Sequence, residues 1–232
     1  VTPYYDHGGI TIYHGDCRDV LPVLDATAII VTDPPYGIAD DPITVGDADG
    51  WRRGKRRGQS NTYHPASTWD RELDPSWLPL AMRFRIVALF GHWRKRRAFE
   101  DTVGIEPRVE FIWAKDTHVG PPCPAAMQDE RVWVFAREPF TPQRFETTVW
   151  NVPIIPTWKY KHHKNQKPES LMLRLLTWLP VGPVIDPFMG SGTTLLAAKR
   201  LGRAAIGIEI DHRYCEIAAE RVQQEALPFA SP

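Results

Sequence analysis

The apolar positions of this chain fall into short runs of two kinds, continuous and periodic. Residues 26–33 (ATAIIVTD) are almost continuously apolar, as expected of a strand buried on both faces of a parallel sheet. Residues 9–16 (GITIYHGD), 85–91 (RIVALFG), 109–115 (VEFIWAK) and 130–137 (ERVWVFAR) read as further strands, the last two joined by a Pro-rich loop. Residues 17–24, 74–84 and 168–179 read as helices, with Pro168 near the start of the third, where its missing N–H costs little. From residue 182 the chain reads strand, Gly-rich turn, helix, strand, helix. The first of these helices is expected over about Ser191–Leu201 with a stop at Gly202, the strand is AAIGIEI (204–210), and Asp211 caps the last helix. Residues 37–67 lack periodicity and predict a long loop, functional or mobile, while 138–166 predict irregular structure. The alternation of strand and helix predicts an α/β fold with a mostly parallel sheet.

Two strand ends carry chemistry. The turn DPFMGSGTT (186–194) lies where a strand feeds a helix, and open α/β sheets bind ligands at the carboxyl ends of their strands. Gly190 and Gly192 let the backbone approach a ligand, Thr193 and Thr194 offer hydroxyls, and the N–H groups of the helix favour an anionic group such as a carboxylate. Leu195 stands where a dinucleotide fingerprint needs a third glycine, and no Walker-type phosphate loop is present. Glu209 ends the next strand, where a carboxylate can accept both hydroxyls of a ribose. Taken singly, the turn could be purely structural and Glu209 a neighbour of a helix cap. Taken together they describe a nucleoside that carries a carboxylate and no diphosphate, which is S-adenosylmethionine.

The run 26–33 ends in DPPY. Asp33 and the carbonyl of Pro34 offer two acceptors for the two protons of an amino group, the Pro34–Pro35 turn fixes their direction, and Tyr36 can stack on a flat ring. Such a clamp suits the exocyclic amine of a nucleobase and rejects a keto group. An aromatic amine is a poor nucleophile, so the clamp must polarise its N–H bonds and aim the nitrogen at a methyl on a sulfonium. Positioning of this kind reaches effective molarities on the order of 10⁵ M or more. No strong general base is needed, since the proton can leave once the nitrogen is cationic. A base within a duplex must be flipped out to reach such a site, at about a few kcal/mol.

Composition narrows the class. At 232 residues, with 43% hydrophobic and 24% charged residues, the chain is expected to be one soluble domain. Cys17, Cys123 and Cys215 are far apart and form no CxxC, so neither a disulfide framework nor a zinc site is expected. His162 and His163 lack partners at zinc spacing, and no metal is expected. No apolar run approaches the ~20 residues of a membrane span and no signal-peptide pattern is present, so no membrane association and a cytoplasmic location are expected. Lys and Arg balance Asp and Glu at 28 each, but basic residues cluster beside tryptophans at 51–58, 93–97 and 158–167. Each cluster alone would be a solvated loop; three together point to a polyanion partner.

DPPY followed by DPFMGSGTT resembles the permuted β group of the amino-methyltransferases that modify adenine or cytosine in DNA. The resemblance extends through IYHGDC (12–17), FIWAKD (111–116), ERVWVFAR (130–137), HKNQKPESLMLRLL (163–176) and GIEIDHRYCEIAAER (207–221). It implies a three-layer, Rossmann-like α/β fold over residues 1–232, with a target half (1–137), a short recognition or linker segment (138–166) and a cofactor half (167–232). It also implies S-adenosylmethionine as cofactor, with Asp16 toward its adenine amino group, Cys17 beside the ring, Lys167 and Pro168 edging the methionine end, Asp186 and Phe188 with the glycine turn around it, and Glu209 on the ribose. Asp33, Pro34, Pro35 and Tyr36 would hold the target base. The acid form of the clamp usually accompanies adenine in this family and a serine form cytosine, so N6 of adenine is favoured; N4 of cytosine, an RNA substrate and an inactive DNA-binding module remain open. Family members often carry a sizeable recognition region where this chain has only the 29 residues 138–166. Recognition is therefore expected to be short, or to come from the 37–67 loop or a second subunit of a homodimer. Arg52, Arg53, Lys55, Arg56, Arg57, Lys159 and Lys161 are the candidates for phosphate contacts with double-stranded DNA, in a restriction-modification or phage setting. If they touch phosphates, binding weakens steeply with salt.

Overall fold

The computed structural model describes residues 1–36, 74–116, 128–156 and 166–224. The predicted 37–67 loop, the phosphate-contact candidates Arg52, Arg53, Lys55, Arg56, Arg57, Lys159 and Lys161, and Cys123, Trp158, His162 and His163 lie outside the described residues.

Along the chain the elements are β1 (Tyr5–His7), β2 (Ile10–His14), α1 (Cys17–Val20), β3 (Ile29–Thr32), α2 (Leu78–Ala81), β4 (Ile86–Gly91), α3 (Arg96–Val103), β5 (Val109–Ala114), β6 (Asp129–Phe135), β7 (Val149–Asn151), α4 (Glu169–Trp178), β8 (Val184–Asp186), α5 (Thr193–Arg200), β9 (Ala205–Glu209) and α6 (His212–Gln224). One sheet takes all the described strands in the order β1-β2-β9-β8-β3-β4-β6-β5-β7. The run β2-β9-β8-β3-β4 is parallel throughout. Strand β6 is antiparallel to both β4 and β5, and β7 is parallel to β5.

Why the central strands read as continuous apolar runs is visible in the layers. Every residue of β3 and of β4 is buried. Ile29 and Val31 face a core shared with α4, α5 and α6, while Ile30 faces a second core built with α1, α2 and α3. Strand β4 divides likewise, with Ile86, Ala88 and Phe90 on one face and Val87 and Leu89 on the other. Helices cover both faces, so alternation disappears. The result is the three-layer α/β arrangement expected from the sequence.

The structure corrects several local expectations. Residues 138–166 are not wholly irregular: Val149–Asn151 form β7, whose register pairs Trp150 with Trp113. A strand this short shows no period in sequence. The helix expected over 74–84 shrinks to Leu78–Ala81, with Pro79 in its first turn. The basic run 93–97 enters a helix rather than a loop, and Arg96 pairs with Glu100 at 2.6 Å and Glu110 at 2.7 Å. The short β1 had no signal distinct from its turn.

Because β2, β9, β8, β3 and β4 run in parallel, their C-terminal ends gather along one edge of the sheet. Asp16 follows β2, Glu209 ends β9, Asp186 ends β8 and Asp33 follows β3. The antiparallel pairing of β6 with β4 brings the start of β6 to the same edge, with Arg131 opposite Gly91 and Glu130 next in line.

Candidate active site

Neighbouring strands β3 and β8 deliver the clamp loop and the glycine turn side by side. Thr32, the last residue of β3, donates its hydroxyl to Asp186 Oδ1 at 2.8 Å. The same oxygen accepts the Phe188 N–H at 3.1 Å, which fixes the first bend of the turn. Thr194 also bonds the Asp186 side chain, so that hydroxyl is committed within the protein. Gly192 sits at φ 80° and packs its Cα face on α6, where an added Cβ would stand 2.9 Å from the Cβ of Ala218. Gly190, at φ 49°, faces open space in which an added Cβ would meet nothing within 4 Å. Of the two glycines, one serves helix packing and the other leaves room at the strand ends.

A cavity of about 210 Å³ opens along this edge. Its walls include Gly15, Asp16, Cys17 and Arg18 after β2, Pro35 of the clamp, Trp77, Pro187 and Phe188 of the glycine turn, and Glu209 and Ile210. Pro35 and Phe188 thus line one space, which joins the two motifs. Glu209 accepts the Gly190 N–H at 3.0 Å on one carboxylate oxygen and the Asp211 N–H at 2.9 Å on the other. The Ile210 N–H also bonds this carboxylate, and its remaining acceptor capacity is open to an outside donor. Burial raises the Glu209 pKa, only partly offset by those N–H groups. Asp16 caps α1 by accepting the Arg18 N–H at 2.8 Å, and the Arg18 guanidinium lies across both its oxygens, at 2.9 Å from Oδ1 and 2.5 Å from Oδ2. Arg18 reaches on to Asp74 at 3.1 Å. Cys17 is buried in the cavity wall, and burial pushes its thiol up to about 12, so it stays neutral.

The clamp acid is held in a buried ionic cluster. Asp33 accepts Tyr36 Oη on Oδ1 and Lys167 Nζ on Oδ2, the latter at 2.5 Å. Lys167 also reaches Glu130 Oε2 at 3.1 Å, and Glu130 accepts Lys115 at 2.5 Å. Tyr36 Oη lies 3.5 Å from Glu130 as well. Burial alone would lower the Lys167 pKa, but Asp33 and Glu130 outweigh it and hold it above the ordinary lysine value. Burial alone would raise Glu130, but Lys167 and Lys115 hold it well below the usual carboxylate range. The sequence suggested Lys167 along the methionine end of the cofactor; the structure directs its ammonium to Asp33, and Pro168 caps α4 behind it. Glu130 and Lys115 went unnoticed as site residues. Their signal was a pair of opposite charges at the near ends of two strands joined by one loop, which antiparallel pairing brings together with Trp113 opposite Glu130.

The opposite pKa shifts of Asp186 and Glu130 should make stability depend on pH in opposite senses. Burial pushes Asp186 up to about 6 against the hydroxyl and N–H bonds that oppose it. A raised folded-state value adds stability that is fully present below the unfolded value of 3.8 and is lost as pH rises through about 6. Glu130 is depressed instead, so its contribution is present above the unfolded value of 4.5 and is lost as pH falls below it. The melting temperature should therefore be higher near about pH 5 than near about pH 8, and should fall again below about pH 4. A series of thermal melts across that range checks the sign.

Comparison with known proteins gives the same assignment from a different direction. A family model described as DNA methylase matches residues 92–220, more than half of the chain. The Type II methyltransferase M.ScaI of Streptomyces caespitosus is 23% identical over 267 residues, which cover 97% of this chain and 84% of that protein. Among solved structures, the PvuII DNA methyltransferase (cytosine-N4-specific) superposes with a TM-score of 0.69 at 17% identity, over 99% of this chain and 90% of that one. The M1.HpyAVI-SAM complex superposes with a TM-score of 0.64 at 22% identity, over 91% and 99% of the two chains. The structural likenesses concern the fold. With the family match spanning both antiparallel strands of the clamp side and the whole glycine turn, the chain belongs to the N6/N4 family of DNA methylases.

Proposed function

We propose that this protein methylates the exocyclic amino group of a base in double-stranded DNA, N6 of adenine, with S-adenosylmethionine as donor. The observation that carries the reading is the shared cavity, into which the clamp contributes Pro35 and the glycine turn contributes Pro187 and Phe188. The residues present fit the donor. Glu209 lines the cavity with a carboxylate that can accept from a ribose diol, Gly190 leaves open backbone, and Cys17, Trp77, Phe188 and Ile210 supply apolar wall. Asp16 is a carboxylate for an adenine amino group at the same wall, and Asp186 and Thr194 brace the turn from behind. The M1.HpyAVI neighbour was solved as a SAM complex. When bound, S-adenosylmethionine supplies an electrophilic methyl group on a sulfonium.

The protein's own part is positioning. Asp33 and the Pro34 carbonyl accept the two protons of the amine, and Tyr36 offers a ring face to a flipped base. Asp33 accepts charge-assisted hydrogen bonds, which draw the amine's lone pair toward the cavity and stabilise the cationic nitrogen that forms. An acid at position 33, where a serine would suit cytosine, favours adenine. The basic runs at 52–57 and 159–161 remain the proposed phosphate contacts, and a homodimer would extend the short recognition segment.

The test is nucleoside mass spectrometry of unmethylated duplex DNA incubated with the protein and S-adenosylmethionine. N6-methyladenine is expected. N4-methylcytosine would overturn the choice of base, methylation of RNA alone the choice of polymer, and no methylated nucleoside the reading as a whole.

A further inference from the structure

The clamp acid is not vacant in this structure. Of its two oxygens, Oδ1 takes the Tyr36 hydroxyl and Oδ2 takes the Lys167 ammonium at 2.5 Å. An ammonium and an exocyclic amine offer the same thing to a carboxylate, an N–H at hydrogen-bond distance. A target amine and Lys167 therefore compete for one acceptor. They are also poorly matched as neighbours, since the amine nitrogen becomes cationic during methyl transfer and a lysine charge beside it would oppose that change.

A second acceptor stands ready. Lys167 Nζ already lies 3.1 Å from Glu130 Oε2, and Glu130 is steadied by Lys115 at 2.5 Å. Asp33 and Glu130 balance Lys115 and Lys167 in charge, so a shift of Lys167 from one carboxylate to the other leaves the buried cluster neutral. Only a short swing of the lysine head is required, because it bridges the two acids from the start. The Lys167 side chain is 7% exposed, so water is a poor alternative partner for it.

We propose that Lys167 occupies the place of the target amine on Asp33 when no base is bound and passes to Glu130 when a base is captured, which makes Glu130 a positioning residue for the reaction. The inference rests on the methyl-transfer reading above and adds to it a displaceable internal ligand. It explains why a carboxylate with no place in the clamp motif sits within reach of the clamp lysine.

Tritium transfer from S-adenosylmethionine to unmethylated plasmid DNA, with cofactor affinity measured by calorimetry, tests it. Glu130→Gln should lower kcat about ten-fold or more, because the lysine loses its charged receiver and stays on Asp33. Cofactor affinity should stay within about two-fold, and Glu130→Asp should recover most of kcat. In a Lys167→Met background Glu130→Gln should bring no further loss, so that the double variant matches Lys167→Met alone, whereas losses that multiply would overturn the proposal. No transfer by the wild-type protein would overturn the functional reading, and this proposal with it. Where a variant fails to fold or Lys167→Met is inactive, the wild-type protein carries the test alone. Its lysine side chains are labelled with ¹⁵N, the Lys167 ammonium signal is identified by its loss in Lys167→Arg, and S-adenosylhomocysteine is present. The signal should shift when duplex DNA binds; an unshifted signal on bound DNA would overturn the proposal.

Discussion

Asp33→Ala should reduce methyl transfer to DNA about 10²-fold or more while cofactor affinity changes by less than about two-fold. In the proposed reaction the acid supplies one of the two acceptors for the amine, and the charged one. Among the described residues its side-chain hydrogen bonds go to Tyr36 and Lys167, while Glu209 is bonded by the Gly190 N–H of the turn. The two measurements should therefore separate. Removing one member of a buried ion pair also leaves Lys167 with Glu130 as its one carboxylate partner among the described residues, so the variant should melt at a lower temperature than the wild type. Asp33→Asn keeps one acceptor oxygen and loses the charge, and should fall between the two in turnover. Equal loss of cofactor affinity and turnover in Asp33→Ala would mean that the acid serves the donor and not the target.

Glu209→Ala should do the opposite. Loss of charged hydrogen bonds to a ribose diol should weaken cofactor binding about 10–100-fold, with kcat at saturating cofactor within about three-fold of wild type. The substitution also removes the acceptor of the Gly190 N–H and the Asp211 N–H, so the turn loosens where it meets the cavity. Calorimetric titration with S-adenosylmethionine, alongside tritium transfer at saturating cofactor, reads both quantities. Unchanged affinity would remove Glu209 from the cofactor site and leave it as a brace for the turn.

How much of this was legible in the sequence depends on whether a feature is local. The buried strands β3 and β4 announce themselves as apolar runs, and the glycine turn as a break between strand and helix, because burial on both faces and left-handed backbone each leave a mark on the residues themselves. The position of Glu209 at a strand tip was readable for the same reason. The ionic cluster was not. Lys115, Glu130 and Lys167 lie on three separate segments, and only the antiparallel register of β5 with β6 and the approach of α4 bring them to Asp33. Nothing in the neighbourhood of Lys167 in sequence distinguishes a lysine that edges a cofactor from one that bonds the clamp acid. The strand β7 failed for a simpler reason, since its three residues are too few to show a period.

The central claim is that clamp and glycine turn form a single site. Hydrogen–deuterium exchange with and without S-adenosylmethionine addresses it most directly. Bound cofactor should slow exchange together in peptides spanning residues 15–18, 33–36, 187–190 and 209–211, which carry the cavity-lining Gly15, Pro35, Phe188 and Glu209, with the Tyr36 amide as reporter in the second because Pro34 and Pro35 have no N–H. Protection that appears at residues 187–190 and 209–211 but leaves 33–36 unchanged would contradict it, because the donor would then lie in a space that the target clamp does not share.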